Sequence, residues 1–122
     1  MIITIPFKTP TVNNLYGKTF KHNGLYLKPE AKKIKEHIHD LIKLLPSQDF
    51  VDKKLKVIVD VYENWLTKKG EVKRKDIANR EKFIIDSVFE CLGLDDKYIY
   101  EMILRKIQSE NEMAMIQIEV IK

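Results

Sequence analysis

The stretch "KLKVIVDVYENW", residues 54–65, places Leu55, Val57, Val59 and Val61 at every second position. That period of two, carried by β-branched side chains, predicts a strand with one face in the core. A charged loop follows, and then a second pattern begins. From about Asp76 to Leu92 the apolar residues Phe83, Ile84, Val88, Cys91 and Leu92 recur at helical spacing, with Gly93 placed as the residue just past the helix end. After "LDD", residues 98–107 and 113–121 read as two strands joined at "SENE". Working toward the N-terminus, Ala31, Ile34, Ile38, Leu41, Ile42 and Leu45 form one helical face between Pro29 and Pro46. "TFKHNGLYL" reads as a short hairpin turning at His22-Asn23-Gly24, and residues 2–7 read as an opening strand. The order predicts an α+β fold: a small mixed sheet of about four main strands plus a short hairpin, with two amphipathic helices on one face. It does not alternate regularly enough for a doubly wound sheet.

The 122 residues suit a single domain, 1–122, with 44% hydrophobic and 33% charged residues. No run approaches a membrane span, "MIITIPFKTP" lacks the order of a signal peptide, and the lone Cys91 excludes an internal disulfide. A cytoplasmic protein is the expectation. The net charge of +4 is concentrated. Between Leu66 and Lys82 stand Lys68, Lys69, Lys73, Arg74, Lys75, Arg80 and Lys82 against Glu71, Asp76 and Glu81, which is the whole excess. Such a patch attracts polyanions better than the same charge spread evenly, although a solvated lysine-rich loop is the plainer reading.

Several groups carry chemistry. Asp76 opens the second helix, where it serves equally as an N-cap or as a rigidly oriented metal ligand. Lys82, about a turn and a half on, is placed to neutralise a phosphate. Asp95 and Asp96 follow a helix C-terminus, where the helix dipole disfavours negative charge; they are either solvated or face a cation. Tyr62 and Trp65 beside the basic loop read as core-edge aromatics or as stacking platforms for bases. Asn13 and Asn14 suit an Asx turn or contact with a nucleic-acid backbone. His37 and His39 stand two apart, point to different helix faces and make a poor metal pair.

Together these pieces resemble the RusA family of Holliday-junction resolvases. The resemblance lies in "NN-x-Y" (Asn13, Asn14, Tyr16), a strand entering a basic loop, the box "DIANREK" (residues 76–82) and the ending "LGLDD" (residues 92–96). It implies a homodimeric bacterial or phage endodeoxyribonuclease that cuts four-way DNA junctions by paired nicks using Mg2+, with Mn2+ as a substitute. It implies catalytic roles for Asp76, Lys82, Asp95 and Asp96, with the three aspartates as metal ligands. It further implies that Asn13, Asn14, Lys68, Lys69, Lys73, Arg74, Lys75 and Arg80 contact DNA.

One position departs from the pattern. Where the box of the family carries a second aspartate, this chain has Ala78, which can neither bind a metal nor activate water. The expectation is a chain impaired in cleavage, by an introduced Asp-to-Ala change in an otherwise intact box; the alternative is a naturally non-catalytic binder of branched DNA. The helix adds a geometric expectation. Its roughly 16 residues span about 24 Å, so Asp76 and Asp96 of one chain stand near opposite ends unless the chain doubles back. An antiparallel dimer sharing its sites would bring them together.

Overall fold

A computed structural model of the chain describes residues 1–10, 16–18, 25–27 and 29–122; for residues 16–18, 25–27 and Asn79 it describes the backbone alone. The elements are β1 (Ile2–Ile5), β2 (Tyr16–Lys18), β3 (Leu25–Leu27), α1 (Pro29–Lys43), β4 (Leu55–Glu63), α2 (Ala78–Leu92), β5 (Ile99–Gln108) and β6 (Met113–Val120). Four strands form one mixed sheet in the order β1-β6-β4-β5. β4 runs parallel to β5 and antiparallel to β6, and β1 runs antiparallel to β6. The parallel pair follows from the connection, because α2 carries the chain from the end of β4 back to the start of β5. β2 and β3 pair separately as an antiparallel hairpin. Its first strand lies earlier than the sequence pattern suggested, and the expected turn at 22–24 lies outside the described residues, as do Asn13 and Asn14.

The alternation of β4 is used as expected. Leu55, Val57, Val59 and Val61 are buried with Ile116 and Ile118 of β6, Ile3 and Ile5 of β1, and the apolar sides of both helices. α1 contributes Ala31, Ile38 and Ile42; α2 contributes Phe83, Ile84, Ile85, Val88 and Phe89, a wider buried surface than its sequence spacing implied. His39 bridges the two helices, with Nε2 3.0 Å from the carbonyl of Ser87.

The two ends of α2 are closed differently. It begins at Ala78 rather than Asp76, whose side chain caps it from outside: Oδ1 accepts from the Ala78 N–H at 3.1 Å. At the other end Gly93 adopts φ +68°, the left-handed conformation that favours glycine. Gly93 N–H donates to Glu90 O and Leu94 N–H to Phe89 O, a Schellman turn sealed by Leu94 packing against the core. The chain reverses there and enters a short 3-10 turn, Asp96–Tyr98.

Candidate functional site

The head of α2 is anchored by a buried carboxylate. Glu63, the last residue of β4, lies 3.1 Å from Arg80 Nε and 3.1 Å from Lys75 Nζ. Arg80 Nη1 also donates to the carbonyl of Thr9 at 2.5 Å, and Lys106 Nζ donates to the carbonyl of Lys75 at 2.6 Å. Lys75 and Arg80 bracket Asp76 in sequence, so the strap carrying Asp76 and Ala78 is tied to the sheet on both sides. The burial makes the pairing obligatory, since an unpaired charge at such a place is strongly destabilising. Arg80, expected at a DNA surface, is thus a buried internal tie. Lys75 is half-buried and also engaged by Glu63.

The remaining box residues lie on the outside. Asp76, Ala78 and Lys82 are exposed. Lys82 Nζ stands 3.2 Å from Asp86 Oδ1, one turn further along α2. That hydrogen bond and the charge of Asp86 push the Lys82 ammonium above its ordinary pKa, with Asp96 and Glu81 adding. Burial pushes the Glu81 carboxyl up; Lys82 opposes this, while the charges of Asp86 and Asp96 reinforce it. Asp96 therefore lies near enough to act on both Glu81 and Lys82. The reversal at Gly93 brings it back toward the first half of α2, so the helix length overstates its distance from the box. Asp95 caps the 3-10 turn, its Oδ1 accepting from the Lys97 N–H at 2.9 Å. Asp86, Asp95 and Asp96 share the lining of a cleft of about 580 Å³ with Lys35 and Glu90. Glu81 and Asp86 were missed in the sequence, although the i,i+4 spacing of Lys82 and Asp86 places them on one helix face.

The donors suit a hard cation: carboxylate oxygens on exposed side chains. Among the described residues no three acidic, histidine or cysteine side chains gather closely enough to enclose an ion. Asp76, Asp95 and Asp96 of one chain accordingly do not form a closed cage. Mg2+ needs only one or two carboxylates and keeps several waters, so these residues fit an open, water-rich site.

The basic loop is a built hairpin. Leu66 and Val72 form an antiparallel bridge, Thr67 N–H donates to Glu71 O, and Gly70 turns the tip at φ +80°. Lys68, Lys69 and Arg74 are exposed and Lys73 is half-exposed. Trp65 at the root is buried, its Nε1 donating to Val61 O at 3.0 Å and Lys106 Nζ lying 4.9 Å from its ring centroid. It supports the loop and offers bases no platform.

The sequence profile of a family described as endodeoxyribonuclease RusA matches residues 6–120 of this chain. The chain belongs to the RusA family. No curated protein matches it at a significant level. RusA-family proteins are endodeoxyribonucleases, hydrolases that act on Holliday-junction DNA and generally need a divalent metal. Among the described residues of this RusA-family chain, no helix is long and apolar enough to cross a membrane.

Proposed function

We propose that the chain is a Mg2+-dependent, structure-specific nuclease of four-way junctions, acting as a homodimer in the bacterial or phage-infected cytoplasm during recombination and repair. With alanine at position 78, it binds junctions and cuts them at a negligible rate. The observation that supports this most is that Asp96, after the reversal at Gly93, lies near enough to Lys82 for its charge to act on the ammonium.

The loop residues Lys68, Lys69, Lys73 and Arg74 hold phosphates flanking the cut and fix the register of the DNA. Lys82, kept protonated by Asp86, neutralises charge developing on the scissile phosphate. Asp76, Asp95 and Asp96 are the residues that would hold Mg2+ or Mn2+. When bound, the ion polarises the phosphate and lowers the pKa of water. Asp76 is partly occupied as the cap of α2, which fixes its direction, and among the described residues its second oxygen has no hydrogen-bond partner. A dimer supplies two such sites to a two-fold junction.

Ala78 itself favours one further reading, a branched-DNA binding module without cleavage. Both readings require preference for a junction. In a gel-shift competition, a synthetic four-way junction should displace the chain from linear duplex of the same sequence by about tenfold or more, ~1.4 kcal/mol. Equal competition by the two DNAs would remove the junction from the proposal.

A further inference from the structure

β5 enters the sheet with an irregular step. Ile99 lies opposite Leu55 and Glu101 opposite Lys56, so Tyr100 between them has no partner on β4. An extra residue of this kind breaks the alternation of the ladder, and such bulges recur beside active sites, where they re-aim a side chain. Here the side chain is an aromatic ring. Tyr100 is 65% exposed, the only exposed aromatic among the described side chains. Trp65 and Tyr98 by contrast lie in or against the core.

The ring is set among cations. Lys54 Nζ lies 5.0 Å from the Tyr100 ring centroid, and Lys97 Nζ lies 5.2 Å from that of Tyr98. Neither ammonium forms a salt bridge among the described residues. The carboxylates of the adjoining turn are engaged elsewhere, Asp49 with Lys53 at 3.3 Å and Asp52 by the Tyr98 hydroxyl at 2.7 Å. A lysine over one face of an exposed ring leaves the other face for a planar π-system. It also keeps a cation within reach of the phosphate attached to that group.

The fold places this ring along the line of the candidate site. The 3-10 turn Asp96–Tyr98 leads from the paired aspartates into β5. Further along the same strand Lys106 holds the carbonyl of Lys75, beside Asp76 and at the root of the basic hairpin. Tyr100 and Lys106 are six positions apart on β5, a separation of about 20 Å at ~3.3 Å per residue. A DNA strand rising ~3.4 Å per nucleotide covers that distance in roughly six nucleotides. DNA gripped by the hairpin at one end of β5 is thus long enough to reach Tyr100 at the other.

We infer that Tyr100, with Lys54 behind it, is a stacking platform for a nucleobase left unstacked at the crossover of the junction. Inside a continuous duplex both faces of every base are covered by its neighbours. Only where the helix is interrupted does a face become available. Every base has such a face, so the platform tells a branch point from duplex without reading sequence. The inference rests on the junction reading and adds the residue that recognises the branch.

The test pairs a cross-link with an affinity comparison. In the unaltered chain, 5-iododeoxyuridine at the crossover should photo-cross-link to Tyr100, located by mass spectrometry, and the same base inside an arm should not. Tyr100→Leu should weaken binding to the four-way junction about fivefold or more, the lower end for loss of one base stack. Its affinity for linear duplex should stay within about twofold of the parent, which also shows that the variant is folded. Tyr100→Phe, which keeps the ring, should bind both DNAs like the parent. A chain that prefers the junction, gives no cross-link at Tyr100 and is unaffected by Tyr100→Leu would overturn the platform and leave the junction reading intact. If the parent binds junction and duplex alike, the junction reading fails, and single-stranded oligothymidylate then decides the platform. Weaker binding of that strand by Tyr100→Leu, with duplex binding unchanged, would support base stacking; equal binding by variant and parent would overturn it.

Discussion

Glu63 at the end of β4 and Arg80 in the first turn of α2 form an ion pair almost sealed from water, with Nε 3.1 Å from Oε1 and side-chain exposures of 4% and 6%. The pair fixes the start of α2 to the sheet and thereby aims Asp76. Arg80→Met should cost about 3 kcal/mol in urea denaturation, the low end for a broken buried pair because Lys75 still holds Glu63. Combining it with Glu63→Leu should recover most of that loss. An Arg80→Met chain of unchanged stability but flatter salt dependence would return Arg80 to the DNA surface.

DNA affinity should rest on the hairpin tip and not on its root. Replacing Lys68, Lys69, Lys73 and Arg74 by alanine should flatten the log–log salt dependence by about 0.9 for each phosphate no longer neutralised. Lys75→Ala should change the slope by less than one phosphate's share, since Glu63 already engages its ammonium. Titration of junction binding between low and moderate salt measures both.

The position of Glu81 makes a pH-dependent expectation. Its folded-state pKa is raised, by burial first. Such a group contributes stability below its unfolded pKa and loses that contribution as pH rises through the folded one. At neutral pH its charge is therefore a burden on the fold, beside Asp86 and Asp96. Glu81→Gln should melt higher than the parent at pH 7, and the difference should close below about pH 4, where both side chains are neutral. A constant difference across pH would show that the effect is packing.

Much of the fold was legible because its determinants are local. The alternation in residues 54–65, the helical spacing bounded by Pro29 and Pro46, and Gly93 after Leu92 each encode their element directly. The site was legible in its residue types and less so in its arrangement. Nothing near Arg80 in sequence announces that Glu63, seventeen residues earlier, will bury it. The return of Asp96 toward Lys82 depends on a Schellman turn, which a straight helix length cannot express. The sheet face turned away from the described helices was hidden for the same reason: Ile58, Tyr62, Ile103 and Met113 look like core residues until the register puts them opposite the helices.

The central claim is that this is a junction nuclease lacking one carboxylate. Ala78 is exposed at the start of α2 beside Asp76, where an aspartate side chain meets no steric bar. The most direct measurement incubates a labelled synthetic four-way junction with Mg2+, once with the present chain and once with Ala78→Asp. The present chain should bind and leave the strands intact. Ala78→Asp should make paired, symmetric nicks at a rate higher by orders of magnitude, as expected when a metal site regains a ligand. An Ala78→Asp chain that folds, dimerises and binds the junction yet cuts no strand in Mg2+ or Mn2+ would contradict the nuclease reading.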